Sequence, residues 1–366
     1  MVDRTLTRAR LVAQGLVAAG AADPAELAAR FLALQGQDLP GALSSVALRL
    51  RSGTDPIGRV QDAFARGELV RGYPMRGTIF VMAAQDARWL TELCAPAQVR
   101  ASLTRHRELG IAQHHLERAR ALVLEEADAP GGIGRAGLLA LWEAHGIPVA
   151  AGAGYAVLRH LIQTGVLVHG PLEEGENRIV LARRALPEGS GLAERFDGDE
   201  DAAVAELLLR YLRSRGPATV RDAGWFSKLP LSRLRAALPR IRDRLEEAGT
   251  DAAGEMRFQR PGLAAEIEEA GAAVDATFLL PGFDELVLGY PDRRSLIAEA
   301  DHPRLVPGNN GMFQRGVVRR GTMIGLWRRA GRPGARRLET EEFAPWPAIA
   351  RRQARGAFAR FPFPAP

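Results

Sequence analysis

Two glutamines and an aspartate fall within four residues in the stretch Phe31-Leu32-Ala33-Leu34-Gln35-Gly36-Gln37-Asp38-Leu39-Pro40. A glutamine side chain can accept a hydrogen bond from water through its carbonyl and donate through its NH₂, but it cannot act as a true base. Gln35 and Gln37 could therefore hold and aim a water molecule, with Asp38 adding negative charge. The segment reads as apolar and helical up to Leu34. Pro40 biases the residue before it away from helical backbone, which predicts that Gln35, Gln37 and Asp38 sit where a helix end opens. Gly36 adds no bulk between the glutamines, so a large flat partner could approach closely. Spacing alone favours a plainer reading, a helix that ends in solvated polar residues. What lifts the stretch above that reading lies elsewhere in the chain.

The elements that must position these residues are spread over 366 residues, a length that suggests two to four domains. The apolar fraction of 46% is that of an ordinary globular protein, and no run approaches the roughly 18 apolar residues of a membrane span. Arg4, Arg8 and Arg10 ahead of the small-residue stretch Leu11–Ala22 resemble a signal peptide, but Gln14 and Gly15 interrupt it and it reads as the first helix. Cys94 is the lone cysteine, which excludes an intramolecular disulfide framework and a cysteine-based metal site and suits a reducing cytoplasm. Basic residues number 49 against 43 acidic ones, a net charge of +6, and Lys228 is the sole lysine. A guanidinium fork suits phosphates and base edges, although a GC-rich genome produces the same composition.

Residues 5–22 and 24–35 read as two helices, the second with Asp23 as N-cap and Pro24 at its first position. Ser44–Arg51 reads as a third helix, and Asp55 caps another over Pro56–Arg66 that Gly67 stops. Leu69–Met82 then reads as a strand pair, so that helices and a small hairpin form a winged helix-turn-helix. The plan recurs with helices over Leu116–Ala127, Gly134–Ala144 (anchored by Trp142) and Tyr155–Thr164, then strands Val166–His169 and Arg178–Leu181 around the loop Gly170–Asn177. A third round runs through helices Asp201–Arg213 and Leu231–Leu245, with Thr219 and Asp222 as a capping pair. From about Ala252 the pattern turns to strands over Glu255–Arg260, Ala276–Leu280, Glu285–Gly289 and Gly316–Arg329. The last is a hairpin with Arg319-Arg320-Gly321 at its tip, and a basic helix over Arg351–Arg360 and a tail Phe361–Pro366 follow. The fold class is α+β: three tandem winged helix-turn-helix units over residues 1–112, 113–188 and 189–251, then a β-barrel-like module over 252–366.

No HExxH motif is present, and His114-His115 has no carboxylate at zinc spacing, so metal catalysis is not supported. Neither GxxxxGKS/T nor GxGxxG follows a strand, so no nucleotide cofactor is expected, and no GxSxG occurs. Five stretches in a fixed order carry a resemblance: Leu34-Gln35-Gly36-Gln37-Asp38; Met75-Arg76-Gly77-Thr78-Ile79; Leu279 to Tyr290; Val306 to Phe313; and Gly325-Leu326-Trp327-Arg328-Arg329. Together they resemble the tandem winged-helix family of AlkZ- and YcaQ-type bacterial DNA glycosylases over nearly the whole chain. That resemblance implies a C-shaped architecture with a concave DNA-binding face and a Gln-x-Gln catalytic motif at Gln35 and Gln37. It implies hydrolysis of the N-glycosidic bond of bulky alkylated purines, including interstrand crosslinks, in double-stranded DNA. The missing motifs lead to an expectation of no cofactor or metal, the hydropathy to no membrane, the absence of a long heptad segment to a monomer, and the lone cysteine to a cytoplasmic, nucleoid-associated location.

Ordinary glycoside hydrolysis uses a pair of carboxylates. An N-alkylated purine is already cationic and leaves readily, so a water held by amides would suffice. Asp38, Arg76, Phe80, Asp284 and Glu285 are the further candidates around the cleft. Phe80 stands where many relatives carry a histidine, or is simply a core residue of its strand; Asp284 and Glu285 frame the cleft or pair with arginines. The DNA face is expected to carry Arg49, Arg51, Arg71, Arg315, Arg319, Arg320, Asn309 and Asn310. Two other classes fit the same pattern, a non-catalytic winged-helix transcription regulator and a protein that sequesters a lesion or toxin without turnover.

Overall fold

Helix ends in this chain are set by short polar side chains and prolines. The computed structural model describes residues 2–17, 20–51, 53–126, 131–173, 175–332 and 335–364. The expected helices over 5–22 and 116–127, the loop 170–177 and the tail 361–366 include Ala18, Ala19, Ala127, Glu174, Ala365 and Pro366, which lie outside the described residues. Asp3 caps α1 (Arg4–Ala13), Asp23 caps α2 (Pro24–Phe31), and Asp55 caps α4 (Pro56–Ala65), each by accepting a first-turn N–H. Between them, α2 stops at Phe31, where Leu32 takes φ 64°, and Leu34–Gln35 is a short strand, β1. Gln35 therefore ends a short strand and Gln37 follows it, and neither sits at a helix end. Pro40 sits in the first turn of α3 (Leu39–Ala47), so the proline starts the next helix.

The strands β2 (Leu69–Gly72) and β3 (Phe80–Ala83) form the first hairpin, followed by α5 (Ala84–Cys94), α6 (Pro96–Glu108), α7 (Gln113–Glu126), α8 (Arg135–Ala144) and α9 (Ala153–Gln163). The second hairpin is β4 (Leu167–Glu173) with β5 (Glu176–Leu181). All five strands join in one antiparallel sheet of order β1-β3-β2-β4-β5, with Gln35 opposite Phe80 and Arg71 opposite His169. Both expected wings thus belong to a single sheet.

After the short helices α10 (Ala182–Ala185) and α11 (Leu192–Arg195), α12 (Glu200–Arg215) leads to β6 (Ala218–Thr219), α13 (Val220–Ser227) and α14 (Leu231–Ala237). Thr219 and Asp222 form a reciprocal capping box on α13. The strands β7 (Glu246–Thr250) and β8 (Met256–Gln259) close a three-stranded sheet, β6-β8-β7. The strand expected over 255–260 therefore pairs with the third helical group and not with the C-terminal strands. Those begin, after α15 (Leu263–Ala270), with β9 (Thr277–Leu279), and the strand expected over Glu285–Gly289 is instead α16 (Glu285–Leu288), because Asp284 caps it through the Leu286 N–H. Then come α17 (His302–Leu305), β10 (Gly316–Arg319), β11 (Thr322–Ala330), β12 (Arg337–Glu342) and α18 (Ala348–Ala359). The sheet β12-β11-β10-β9 is open, and among the described residues no barrel closes. No helix among them is long and apolar enough to cross a membrane.

Apolar packing crosses these groups. Leu32, Ala33 and Phe80 share one cluster with Tyr211 and Phe226, and Leu11 and Val12 share another with Leu286–Leu288. A buried polar network runs beside them. Arg49 makes a two-pronged pair with Asp284 at 2.9 and 2.8 Å and also donates to the Gln14 carbonyl at 2.9 Å. Gln14 donates to the Tyr290 hydroxyl at 3.0 Å, and Tyr290 donates to the Arg215 carbonyl at 2.7 Å. Arg215 pairs with Glu285 at 2.8 Å and donates to the carbonyls of Phe31 (3.0 Å) and Ala33 (2.6 Å). The four charged side chains are fully buried.

Removing one partner of such a pair strands the other charge in a dry interior. Arg49→Ala is expected to lower urea-unfolding stability by about 3–5 kcal/mol. Arg49→Met combined with Asp284→Asn, which leaves no charge and keeps the helix cap, is expected to recover more than half of that loss. Equal losses in the two variants would show that shape, and not stranded charge, dominates.

Candidate active site

Backbone bonds hold β1 from three sides. The Gln35 N–H donates to Glu285 Oε2 at 3.0 Å, the Gly36 N–H donates to the Ile79 carbonyl at 2.9 Å, and Arg71 donates to the Gly36 carbonyl. Gly36 faces β3 so closely that a β-carbon there would lie 3.0 Å from the Phe80 carbonyl carbon. The missing side chain thus serves the protein's own sheet, which replaces the expectation that it admits a flat partner. Gln35 is 4% exposed, and its Nε2 is buried without a protein partner. Such a donor carries a desolvation cost of about 1–3 kcal/mol. Gln37, two residues on, is exposed and lines a cavity of about 370 Å³.

The other walls of that cavity come from both hairpins and from α9: Arg71 and Tyr73, Tyr155 and Leu158, His169 and Asn177, with Arg135 and Glu176 at 3.8 Å from each other. Tyr73 and Tyr155 meet edge-on, with hydroxyls 2.7 Å apart. Arg71 bridges the two hairpins by donating to Asn177 Oδ1 at 2.6 Å, and Asn177 donates onward to the Gly170 carbonyl at 2.6 Å. Burial lowers the Arg71 pKa to about 10. Burial, followed by the charges of Arg71 and Arg135, lowers that of His169 to about 3, so this imidazole is neutral at physiological pH.

The remaining candidates divide by burial. Arg49 and Arg71, expected to face DNA, are buried and hydrogen-bonded to Asp284 and Asn177, with Arg71 also in the wall of the cavity. Phe80 is fully buried and meets Phe226 edge-on at 5.9 Å, the core residue of the two readings. Asp284 and Glu285 lie under the site, paired with Arg49 and Arg215, and do not face a cleft. For Asp284, burial alone would raise the pKa, but the Arg49 charge and hydrogen bonds outweigh it and hold the group below the usual carboxylate value. Arg76, at φ 56°, stacks on Trp225 at 4.4 Å and donates to the Leu288 carbonyl at 3.2 Å, so it interlocks the first hairpin with α13 and α16.

Arg51, Asn309, Asn310 and Arg320 are exposed, and Arg315 and Arg319 are half-buried. The β10–β11 tip does not project freely, because a β-carbon on Gly321 would lie 2.6 Å from the Arg4 carbonyl oxygen. Positive charge gathers instead toward β11–β12: after burial, Arg336 and Arg315 both lower the Arg329 pKa. Arg315 also opposes the upward push that burial gives the half-buried Asp38 carboxyl. Arg336, and Arg329 although it belongs to one of the ordered motifs, were not among the residues expected to face DNA, because arginine is spread along the whole chain. Tyr73, Tyr155, His169 and Asn177 escaped it because only the joining of β2 to β4 brings them beside Gln37.

The family model for DNA glycosylase AlkZ-like proteins matches residues 28–362. The chain belongs to the AlkZ-like DNA glycosylase family. This confirms the resemblance drawn from the ordered motifs. The chain is also 30% identical over 177 residues to an interstrand DNA cross-link repair glycosylase of Streptomyces sahachiroi; the match spans 47% of this chain and 45% of that relative, less than half its length. Its fold is similar to that of the Streptomyces sahachiroi DNA glycosylase AlkZ, with a TM-score of 0.72 at 23% identity over 99% of this chain and 96% of the other.

In this AlkZ-like chain the neutral histidines make stability depend on pH. The folded pKa values of His169 (about 3) and His160 (about 4) lie below the 6.5 of a free imidazole, in both cases through burial first. The unfolded chain therefore binds protons that the folded chain refuses, and stability is full above pH 6.5 and falls as pH drops below it. His169 alone is expected to cost about 2 kcal/mol at pH 5. A thermal melting series from pH 7.5 to 5 should show a falling Tm, with a shallower slope in His169→Asn.

Proposed function

We propose that the chain is a monofunctional DNA glycosylase that releases cationic N-alkylated purines, bulky adducts and crosslinks among them, by hydrolysis of the N-glycosidic bond. One observation carries this reading: two glutamine amides two residues apart, Gln35 ending a short strand and Gln37 in the bend after it, with hydrogen bonds to the Gln35 and Gly36 backbone fixing the segment and the carboxylates beneath it paired with arginines. Gln37 stands exposed at the cavity edge, and Gln35 brings an unspent N–H donor.

The chemistry asks little of a base. As the C1′–N bond of an N7- or N3-alkylated purine breaks, the base leaves neutral and the sugar becomes oxocarbenium-like. A Gln37 carbonyl oxygen accepts one hydrogen bond from the attacking water while Gln35 Nε2 donates to an oxygen, which aims the lone pair at C1′. The new C1′–O bond forms and the surplus proton passes to bulk water. Arg315, Arg329, Arg336 and the exposed Arg320 supply positive charge for the phosphate backbone. The name of the Streptomyces sahachiroi relative, with its interstrand cross-links, supports large lesions in particular. An open site suits such lesions, which cannot swing into a tight pocket.

The test is release of free base from duplex DNA carrying one N7-methylguanine. Gln35→Ala combined with Gln37→Ala is expected to cut the single-turnover rate by roughly 100-fold or more with binding retained. Full base release by that double variant would remove the glutamines from the mechanism. No release by the wild type, with tight binding to one undamaged sequence, would favour a regulator. Affinity is expected to fall steeply with salt, and Arg329→Ala with Arg336→Ala should flatten that dependence.

A further inference from the structure

We propose that the cavity beside Gln37 walled by Tyr73, Tyr155 and His169 receives the flat, unsaturated group appended to a purine lesion, so that these three side chains select bulky aromatic adducts. The inference rests on the glycosylase reading and assigns that site a second subsite, separate from the place where the sugar and purine react.

The volume, about 370 Å³, falls within the range of roughly 300–1,000 Å³ typical of small-molecule sites. Its surfaces suit an aromatic group. Tyr155 is 46% exposed although its partner Tyr73 is 3% exposed, so one ring is buried as a support and the other is presented. The edge-on arrangement, at 84° between ring planes, keeps the exposed face of Tyr155 from being covered by Tyr73. His169 lies 6.3 Å from Tyr73, and its Nδ1 is buried without a protein partner, as is the Nε of Arg71, so residues of the cavity wall carry uncommitted hydrogen-bonding groups.

Charge selects against a cation in this position. Arg71 and Arg135 both line the cavity, and among the described residues Glu176 is the carboxylate that lines it with them. The favoured occupant is therefore a neutral, electron-rich ring with one polar substituent, and not the positively charged purine itself. The subsite is coupled to the reactive strand because Arg71 bonds the Gly36 carbonyl, between the glutamines, and stands opposite His169 in the sheet. A ring seated against Tyr155 thus has its tethered purine directed toward Gln37.

The experiment compares duplexes bearing N7-benzylguanine and N7-methylguanine. Single-turnover release is measured for the wild type, Tyr155→Ala, Tyr155→Phe and His169→Leu, and binding is followed by fluorescence anisotropy. Tyr155→Ala is expected to lower the benzyl-to-methyl rate ratio at least tenfold, Tyr155→Phe to keep most of it, and His169→Leu to reduce it when the benzyl ring carries a hydroxyl. An unchanged ratio in Tyr155→Ala, whether or not both rates fall, would overturn the subsite. Should the wild type release neither base, the glycosylase reading fails by itself. A wild-type binding preference for the benzyl duplex that Tyr155→Ala abolishes would then still support the subsite, and no preference would overturn it.

Discussion

The buried pair between Arg215 and Glu285 is the constraint on which the site depends. Two opposite charges removed from water are tolerable only when every remaining donor and acceptor is satisfied. Here the spare N–H groups of Arg215 go to the carbonyls of Phe31 and Ala33, and the spare oxygen of Glu285 goes to the Gln35 N–H. Those three backbone groups flank the left-handed turn at Leu32 and the entry into β1, a segment too short to hold itself by strand pairing alone. The pair therefore acts as a clamp that turns a two-residue strand into a fixed platform. Its second member, Arg49 with Asp284, is joined through Gln14 and Tyr290, so that α1, α3, α12 and α16 meet around one network.

That arrangement also decides which chemistry the site can host. Acidic side chains within reach of β1 would ordinarily be the first candidates for acid and base. Asp284 and Glu285 are removed from that role by arginines in the dry interior, while the amides of Gln37 and Asn177 line the cavity together with Arg71, Arg135 and Glu176. An amide does not compete for protons, so its hydrogen-bonding pattern is the same across a wide pH range. Asp38 is the carboxylate that remains close, and burial raises its pKa while Arg315 opposes the rise. The burial effect is the larger of the two, and Asp38 stands at the N-cap position of α3.

Local signals in the sequence are read correctly where one residue decides the outcome. Asp23, Asp55 and the Thr219–Asp222 box cap their helices, and the Leu69–Met82 hairpin forms as its turn residues predict. The misreadings come from competition between distant segments. Gln35 looks helical until Glu285, 250 positions away, takes its N–H. Arg49 and Arg71 look like surface cations because nothing nearby in sequence announces Asp284 or Asn177 as partners. Leu286–Leu288 look like a strand from their apolar run, yet a single carboxylate, Asp284, provides the cap that turns them into a helical turn. The ordered motifs mark the family, while the cavity is invisible in them because Tyr155 and His169 lie outside every motif.

The joining of β2 to β4 gives the site its working geometry. Had each hairpin ended its own sheet, as separate wings do, the platform carrying Gln37 and the aromatic wall carrying Tyr155 would be linked only through loops. One sheet instead runs from Gln35 on β1 to Asn177 on β5, and Arg71 ties its middle to both ends. Register in an antiparallel sheet is all or nothing, since a slip of one residue sends each side chain to the opposite face. A slip between β2 and β4 would carry His169 away from Tyr73, and Arg71 away from Gly36. The placing of His169 beside Arg71 is therefore set by strand pairing, while α9 brings Tyr155 to the same cavity.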